Sequence, residues 1–282
     1  KEGIKYLEAR TLIPFSFSKK DALTYLEGLC LLVKEANESF LMQTGLVFSL
    51  PRNKDGAYKY YKIILDFQKK NKHLASLIKG FDFDGYEEKS PPYFLDCFFK
   101  KFYAQQDKTL DIRYHVGESF EKIGLGQALF WIDCVSSYGV KRLAHAHALS
   151  FSPQRLLGQK KLVSADHFNF YLKWIAQNKK KYHLSTLFEL ELNHKKVDQF
   201  FLINYDKRYC NELSFLQENL IKNLKKRSTL IELCPTSSEK ILGFSKESLD
   251  HPLKVFKTKK IPFVLGTDDP GLFKTSLEKE VK

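Results

Sequence analysis

The sequence predicts an α/β barrel, of which this chain supplies strands two to eight of the eight. Three observations predict it. Short β-like runs alternate with longer helical stretches, the signature of βα units and a parallel sheet. Seven such runs can be found, one fewer than a closed eight-stranded barrel needs. Several of them end on His, Glu or Asp, and in α/β barrels the C-terminal strand ends converge on one face.

The runs are Tyr6 to Leu12, Gly45 to Leu50, Ser76 to Phe83, Leu110 to His115, Val140 to His145, Thr229 to Cys234 and Pro262 to Thr267. Helical stretches lie between them, including Lys19 to Ala36, Tyr58 to Lys72, Phe94 to Gln106 and Gly124 to Tyr138. The chain opens on Lys1, directly in KYLEARTLIPF, so the first strand is expected upstream in a longer protein. His145 follows His115 by 30 residues, about one βα unit. Asp268 follows His145 by 123, where two units need only about 60. The excess falls between Ser150 and Ser228 and reads as helices: FNFYLKWIAQNKKKYH, VDQFFLINYDKRY and ELSFLQENLIKNLKK. The organisation expected is a barrel over residues 1–282 with a helical insertion at 151–228. Its aromatics (Phe168, Phe170, Tyr171, Trp174, Phe200, Phe201, Tyr205) need something to pack on, which favours a lid or an oligomer contact.

Forty-six Lys and Arg against 33 Asp and Glu give a net charge of +13. A basic surface favours anionic partners, phosphates among them. The lysines are spread through KKNK, NKKKYH and LKKRS, the pattern of a solvated surface. Neither a nucleic-acid-binding motif nor a regular aromatic–basic groove pattern can be read, so nucleic acid is not an expected partner. No apolar run approaches the ~20 residues of a membrane span. The five cysteines are odd in number, widely spaced and free of any CxxC, which suits reduced thiols in the cytoplasm.

The chemistry collects at strand ends. LDIRYHVGE places His115 at an end and Glu118 three residues on; VKRLAHAHA ends on His145; PFVLGTDDP ends on Asp268 and Asp269; GFDFDGYEE ends on Asp84 and Gly85. Each alone has an ordinary explanation, a hydrogen-bonded histidine or a turn. Together they are hard to explain by packing, because buried ionisable groups are costly unless paired, metal-bound or functional. Imidazole and carboxylate suit zinc or a similar divalent ion.

YHVGE, RLAHA, ELCPTSSEKILGF, HPL and LGTDDPGLF, in this order, resemble the adenosine deaminase family of metal-dependent amidohydrolases, and FDFDGYEE resembles that family's D-L-x-G-x-E loop. The likeness runs from about Tyr6 to Leu277, excluding the insertion. It implies a TIM barrel of the amidohydrolase type and hydrolytic deamination of the 6-amino group of an adenine nucleoside or nucleotide by a metal-activated water. It makes His115 a zinc ligand and Glu118 the acid that protonates purine N1. His145 would stabilise and help deprotonate the attacking water. Asp268 would ligate the metal and orient that water, Asp269 would hydrogen-bond purine N7, and the Gly85 amide would approach N3.

The sequence also departs from the family. The family's first strand carries an HxH pair that supplies two further metal ligands, and no equivalent precedes Lys1. His145-Ala146-His147 is HxH by letters, but its first histidine matches the water-activating one, and His147 reads as structural. Ala144 and Ala146 stand where the family has glycine, and Gly266 where it has asparagine. These departures, and the long insertion, resemble an outlying bacterial branch of longer deaminase-like proteins. The expected partners are the adenine substrate, the upstream segment of the same protein and a second copy through the insertion, with no membrane. The competing reading is a degenerate barrel used for binding or assembly, and an upstream HxH strand would separate the two.

Overall fold

The computed structural model describes residues 4–40, 42–105, 110–245 and 247–281. Its main sheet is parallel and has seven strands, in the order β1-β2-β3-β4-β5-β9-β10. They are β1 (Tyr6–Leu12), β2 (Gln43–Ser49), β3 (Ile78–Phe83), β4 (Asp111–Val116), β5 (Arg142–His145), β9 (Leu230–Leu233) and β10 (Phe263–Leu265). These are the seven runs expected, trimmed by up to two residues at most ends. Three further strands, β6 (Lys160–Ser164), β7 (Lys195–Val197) and β8 (Phe200–Asn204), form a separate antiparallel sheet in the order β6-β8-β7. By internal contacts the chain divides into residues 1–115 with 138–140, and residues 116–137 with 141–282.

In the first unit, β1 pairs with β2 from Tyr6↔Gln43 to Leu12↔Ser49, and β3 with β4 from Gly80↔Asp111 to Phe83↔Tyr114. The helix Lys19–Ser39 starts at Ser18, whose hydroxyl accepts from the Asp21 amide while the Asp21 carboxylate returns the bond to the Ser18 amide. The helix Lys54–Lys70 is capped by Asn53 and buries Ala57, Tyr60, Tyr61, Ile63, Ile64 and Phe67. These positions recur at three and four residues, the stripe a helix lays on a sheet. Beneath it, Phe81, Phe83, Phe98, Phe102 and Tyr61 meet mostly edge to face at 5.4–6.1 Å.

In the second unit, β5 pairs with β9 from Arg142↔Leu230 to Ala144↔Glu232, and β9 with β10. RLAHA and ELCPTS are therefore neighbouring strands although 85 residues separate Ala144 from Thr229. Every residue from Leu125 to Ser136 of the helix Leu125–Ser137 is buried. Part of what covers it comes from the stretch at 151–228. Phe130 lies 5.5 Å from Trp174, and the Asp133 carboxylate accepts from Trp174 Nε1 (3.0 Å), Tyr182 Oη (2.7 Å) and Arg227 Nη1 (2.8 Å).

That stretch corrects two expectations. VDQFFLINYDKRY is not a helix: Lys195–Val197 and Phe200–Asn204 form a hairpin, and Phe200–Asn204 pairs with Lys160–Ser164. Asp198, at φ 52°, takes the left-handed turn between the two strands. A short apolar run such as FFLIN is ambiguous between the two states by periodicity, and its aromatics and isoleucine favour the strand once a partner is present. Nor do most of the aromatics await an outside surface. Phe168 stacks on Phe201 at 4.4 Å, and Phe168, Tyr171, Trp174 and Tyr205 are buried within the unit. Only Phe170 and Phe200 among them are exposed.

Candidate active site

In the second unit the turn after β5 and the loop after β4 are laced together by backbone. The Ala146 amide donates to the Val116 carbonyl (3.0 Å) and the Ala148 amide to the Gly117 carbonyl (2.9 Å). To make this turn, His145 and Ala146 both take left-handed backbone, at φ 65° and 50°. Such strain is held in place by surrounding structure and collects at functional sites. Asp268, after β10, is also left-handed at φ 55°. Ala146→Gly removes a Cβ from a conformation that costs an L-residue roughly 1–2 kcal/mol. Against glycine's greater chain entropy, the variant is expected to be as stable as the parent or up to about 1 kcal/mol more stable in denaturant unfolding.

The side chains these segments carry come together. His145 is buried, with Nε2 3.6 Å from Glu118 Oε1 and 3.9 Å from Asp268 Oδ2. Ser237, in the helix Pro235–Leu242, donates its hydroxyl to Asp268 Oδ2 at 2.7 Å. His147 is wholly buried behind this group, its ring 5.2 Å from that of His145. Burial, reinforced by His145, holds the His147 imidazole well below its ordinary range. Asp269 is exposed at the start of the short helix Pro270–Phe273.

The first unit holds His115. Its Nδ1 lies 3.1 Å from Asp82 Oδ1, and Arg10 Nε lies 3.0 Å from Asp82 Oδ2. Burial pushes the Asp82 carboxyl up, but His115, Arg10 and Arg113 outweigh it and hold the group well below the usual carboxylate range. Such a carboxylate keeps the ring proton on Nδ1, and Nε2, left as a lone-pair acceptor, lies 3.4 Å from Arg10 Nη1. Gly85 is exposed at φ 84°, with open space where a Cβ would stand.

Arg52 ties these segments together. Its Nε donates to the Asp84 carbonyl (2.7 Å), and its Nη2 to the carbonyls of Phe83 (3.0 Å) and His115. Its guanidinium lies over the Tyr114 ring at 4.7 Å. Arg52→Ala leaves three carbonyls without this donor. It is expected to cost about 3 kcal/mol in denaturant unfolding, since bonds to a charged donor are worth roughly 1.5–3 kcal/mol each and water recovers part of the loss.

Within the second unit, His145 and Asp268 bring an imidazole and a carboxylate together, 3.9 Å apart. Imidazole and carboxylate are donors that suit zinc. Sequence reasoning alone names His115 and Asp268 as metal ligands and His145 as the residue that activates the water. It missed Asp82, Arg10, Arg52 and Ser237. Asp82 could have been read, since in GFDFDG it alternates onto the same face as Asp84, two residues nearer the strand centre. Ser237 is one of three hydroxyl residues in CPTSS, with nothing in the letters to single it out.

Residues 197–282 match the adenosine deaminase family model. That match makes the C-terminal part of the chain similar to the adenosine deaminase family. A stretch of 61 residues is 36% identical to the aminodeoxyfutalosine deaminase of Acidothermus cellulolyticus, covering 22% of this chain and 17% of that protein. A stretch of 63 is 35% identical to the adenosine deaminase of Danio rerio, covering 22% of this chain and 18% of that protein. The matched stretches thus span less than a fifth of those relatives. Among solved structures, Arabidopsis ADAL complexed with IMP is similar over 98% of this chain and 59% of that chain, with a TM-score of 0.55 and 17% identity. The adenine deaminase of Arthrobacter aurescens is similar over 98% and 61%, with a TM-score of 0.56 and 14% identity. This likeness shows the fold: the seven-stranded parallel sheet is part of a deaminase-type α/β barrel. Among the described residues, no helix is long and apolar enough to cross a membrane.

Proposed function

We propose that the full-length protein hydrolytically removes the 6-amino group of an adenine nucleoside or nucleotide. The observation that carries this reading is the group at the end of β5, where buried His145 lies between the carboxylates of Glu118 and Asp268. In this reading residues 1–282 supply barrel strands two to eight, with 151–228 inserted and the first strand coming from upstream.

His115 and Asp268 would hold a zinc ion. When bound, the ion draws the pKa of water down towards neutrality. The protein's own residues divide the remaining work. Glu118 donates a proton to purine N1, which withdraws electron density from C6 and opens it to attack. His145 takes a proton from the attacking water and stabilises its charge. Asp268, braced by the Ser237 hydroxyl, orients that water. The new C–O bond forms at C6 and the C–N bond breaks; ammonia leaves with one of the water's protons, N1 keeps the proton from Glu118, and the water's second proton returns to Glu118. The open space at Gly85 supports an approach of the purine to its amide, and Asp269, exposed at the next turn, is the proposed partner of N7. The net charge of +13 favours a phosphorylated substrate.

The test is metal analysis of the full-length protein together with ammonia release from adenosine, AMP and ATP. The expected result is a bound divalent ion and deamination of at least one of the three, AMP or ATP ahead of adenosine. Metal-loaded protein that releases no ammonia from any adenine compound would leave the degenerate barrel, used for binding or assembly, as the reading.

A further inference from the structure

Three successive carbonyls in the loop after β4 are held by three neighbouring residues of the turn after β5. The Ala146 amide holds Val116, the Ala148 amide holds Gly117, and His147 Nδ1 lies 3.3 Å from the carbonyl of Glu118. The third of these is the one a side chain makes, and it falls on the residue proposed as the acid. On its other edge, His147 Nε2 lies 2.6 Å from Ser238 Oγ.

We propose that His147 is a positioning residue for Glu118, fixing the peptide that carries the acid and being fixed in turn by Ser238. This rests on the deaminase reading of Glu118. The tautomer follows from the partners. A carbonyl only accepts, so Nδ1 carries the ring proton, and Nε2 is left as an acceptor for the Ser238 hydroxyl. That hydroxyl's single proton is shared, since the Cys234 carbonyl lies 2.9 Å from the same oxygen, in the first turn of the helix Pro235–Leu242. The chain of contacts therefore runs from that helix through the imidazole to the Glu118 backbone. Glu118 Oε1 stands 3.6 Å from His145 Nε2, so a turn of the Glu118 peptide swings the carboxyl away from the group it works with. Packing does not explain the choice of residue. The His147 ring packs beside those of His145 and Phe244, as a phenyl ring could, yet both nitrogens have polar partners.

The test compares His147→Phe, His147→Asn and Ser238→Ala in the metal-loaded, full-length protein. The phenyl ring keeps the volume and loses both bonds. The asparagine amide stands near the place of Nδ1 and still donates to the Glu118 carbonyl. His147→Phe is expected to lower kcat about 100-fold, the scale set by an ångström of misplacement, with KM changed less than about threefold and metal content unchanged. His147→Asn should recover at least about tenfold of that loss, and Ser238→Ala, which keeps the imidazole, should lose only about tenfold. Amide hydrogen exchange over residues 117–120 needs no substrate, and it should quicken in His147→Phe and stay near the parent rate in His147→Asn. The proposal is overturned if His147→Phe keeps kcat within about twofold, if Phe and Asn lose equally, or if exchange over 117–120 is unchanged in the Phe variant. Should the parent protein deaminate nothing, the deaminase reading fails on its own. The exchange measurement then decides whether His147 holds the loop.

Discussion

Glu118→Gln is expected to bind metal like the parent and to lose turnover on an adenine substrate by roughly 100- to 10,000-fold, the range over which a positioned proton donor acts. Gln has nearly the same shape and can still face His145 at the place Glu118 occupies, 3.6 Å from Nε2. What it lacks is a proton it can give to a ring nitrogen. Without that proton the purine keeps its aromaticity and C6 stays a poor electrophile. Steady-state kinetics alongside metal analysis checks both halves. A Gln variant keeping more than about a tenth of parental turnover would remove Glu118 from the acid role.

Asp268 carries the second large effect. Of the two proposed ligands, His115 and Asp268, it is the one that brings negative charge. Altering groups that merely support ligands costs about 10- to 100-fold in metal affinity, so loss of the carboxylate itself in Asp268→Ala is expected to cost at least about 100-fold, with turnover lost in parallel. The left-handed backbone at Asp268 complicates an alanine, which adds roughly 1–2 kcal/mol of strain of its own. Asp268→Asn separates the two effects, because asparagine tolerates that conformation and can still accept from Ser237. The Asn variant should unfold like the parent in denaturant and yet retain little metal. Equal metal content in the Asn variant and the parent would show that the carboxylate is not a ligand.

Much of this was legible in the letters because barrel strands announce themselves twice, by apolar runs and by the polar residues that end them. RLAH, LIEL and FVL are too short to identify from periodicity alone. His145, the CPTSS stretch and the Asp pair marked their ends. The insertion gave no such second signal. Phe200–Asn204 is a strand because Lys160–Ser164 lies beside it, forty residues back in sequence, and no local pattern carries that pairing. The supporting residues were hidden for a different reason. Asp82 and His147 are buried within segments whose ends drew attention, and what they do depends on partners, His115 and Ser238, far away in the chain. Reading His147 as merely structural followed from its neighbour's stronger match. Its two hydrogen bonds became visible only with the fold.

The reading of the site as a deaminase stands or falls on where the oxygen in the product comes from. Metal-loaded full-length protein incubated with adenosine, AMP and ATP in water enriched in heavy oxygen, with ammonia and product mass followed together, tests it most directly. The account predicts one ammonia for each product and one heavy oxygen at the carbon that lost nitrogen, with both signals falling together in Glu118→Gln. Ammonia-free turnover, product without the label, or no reaction on any adenine compound by protein with its metal in place would contradict it.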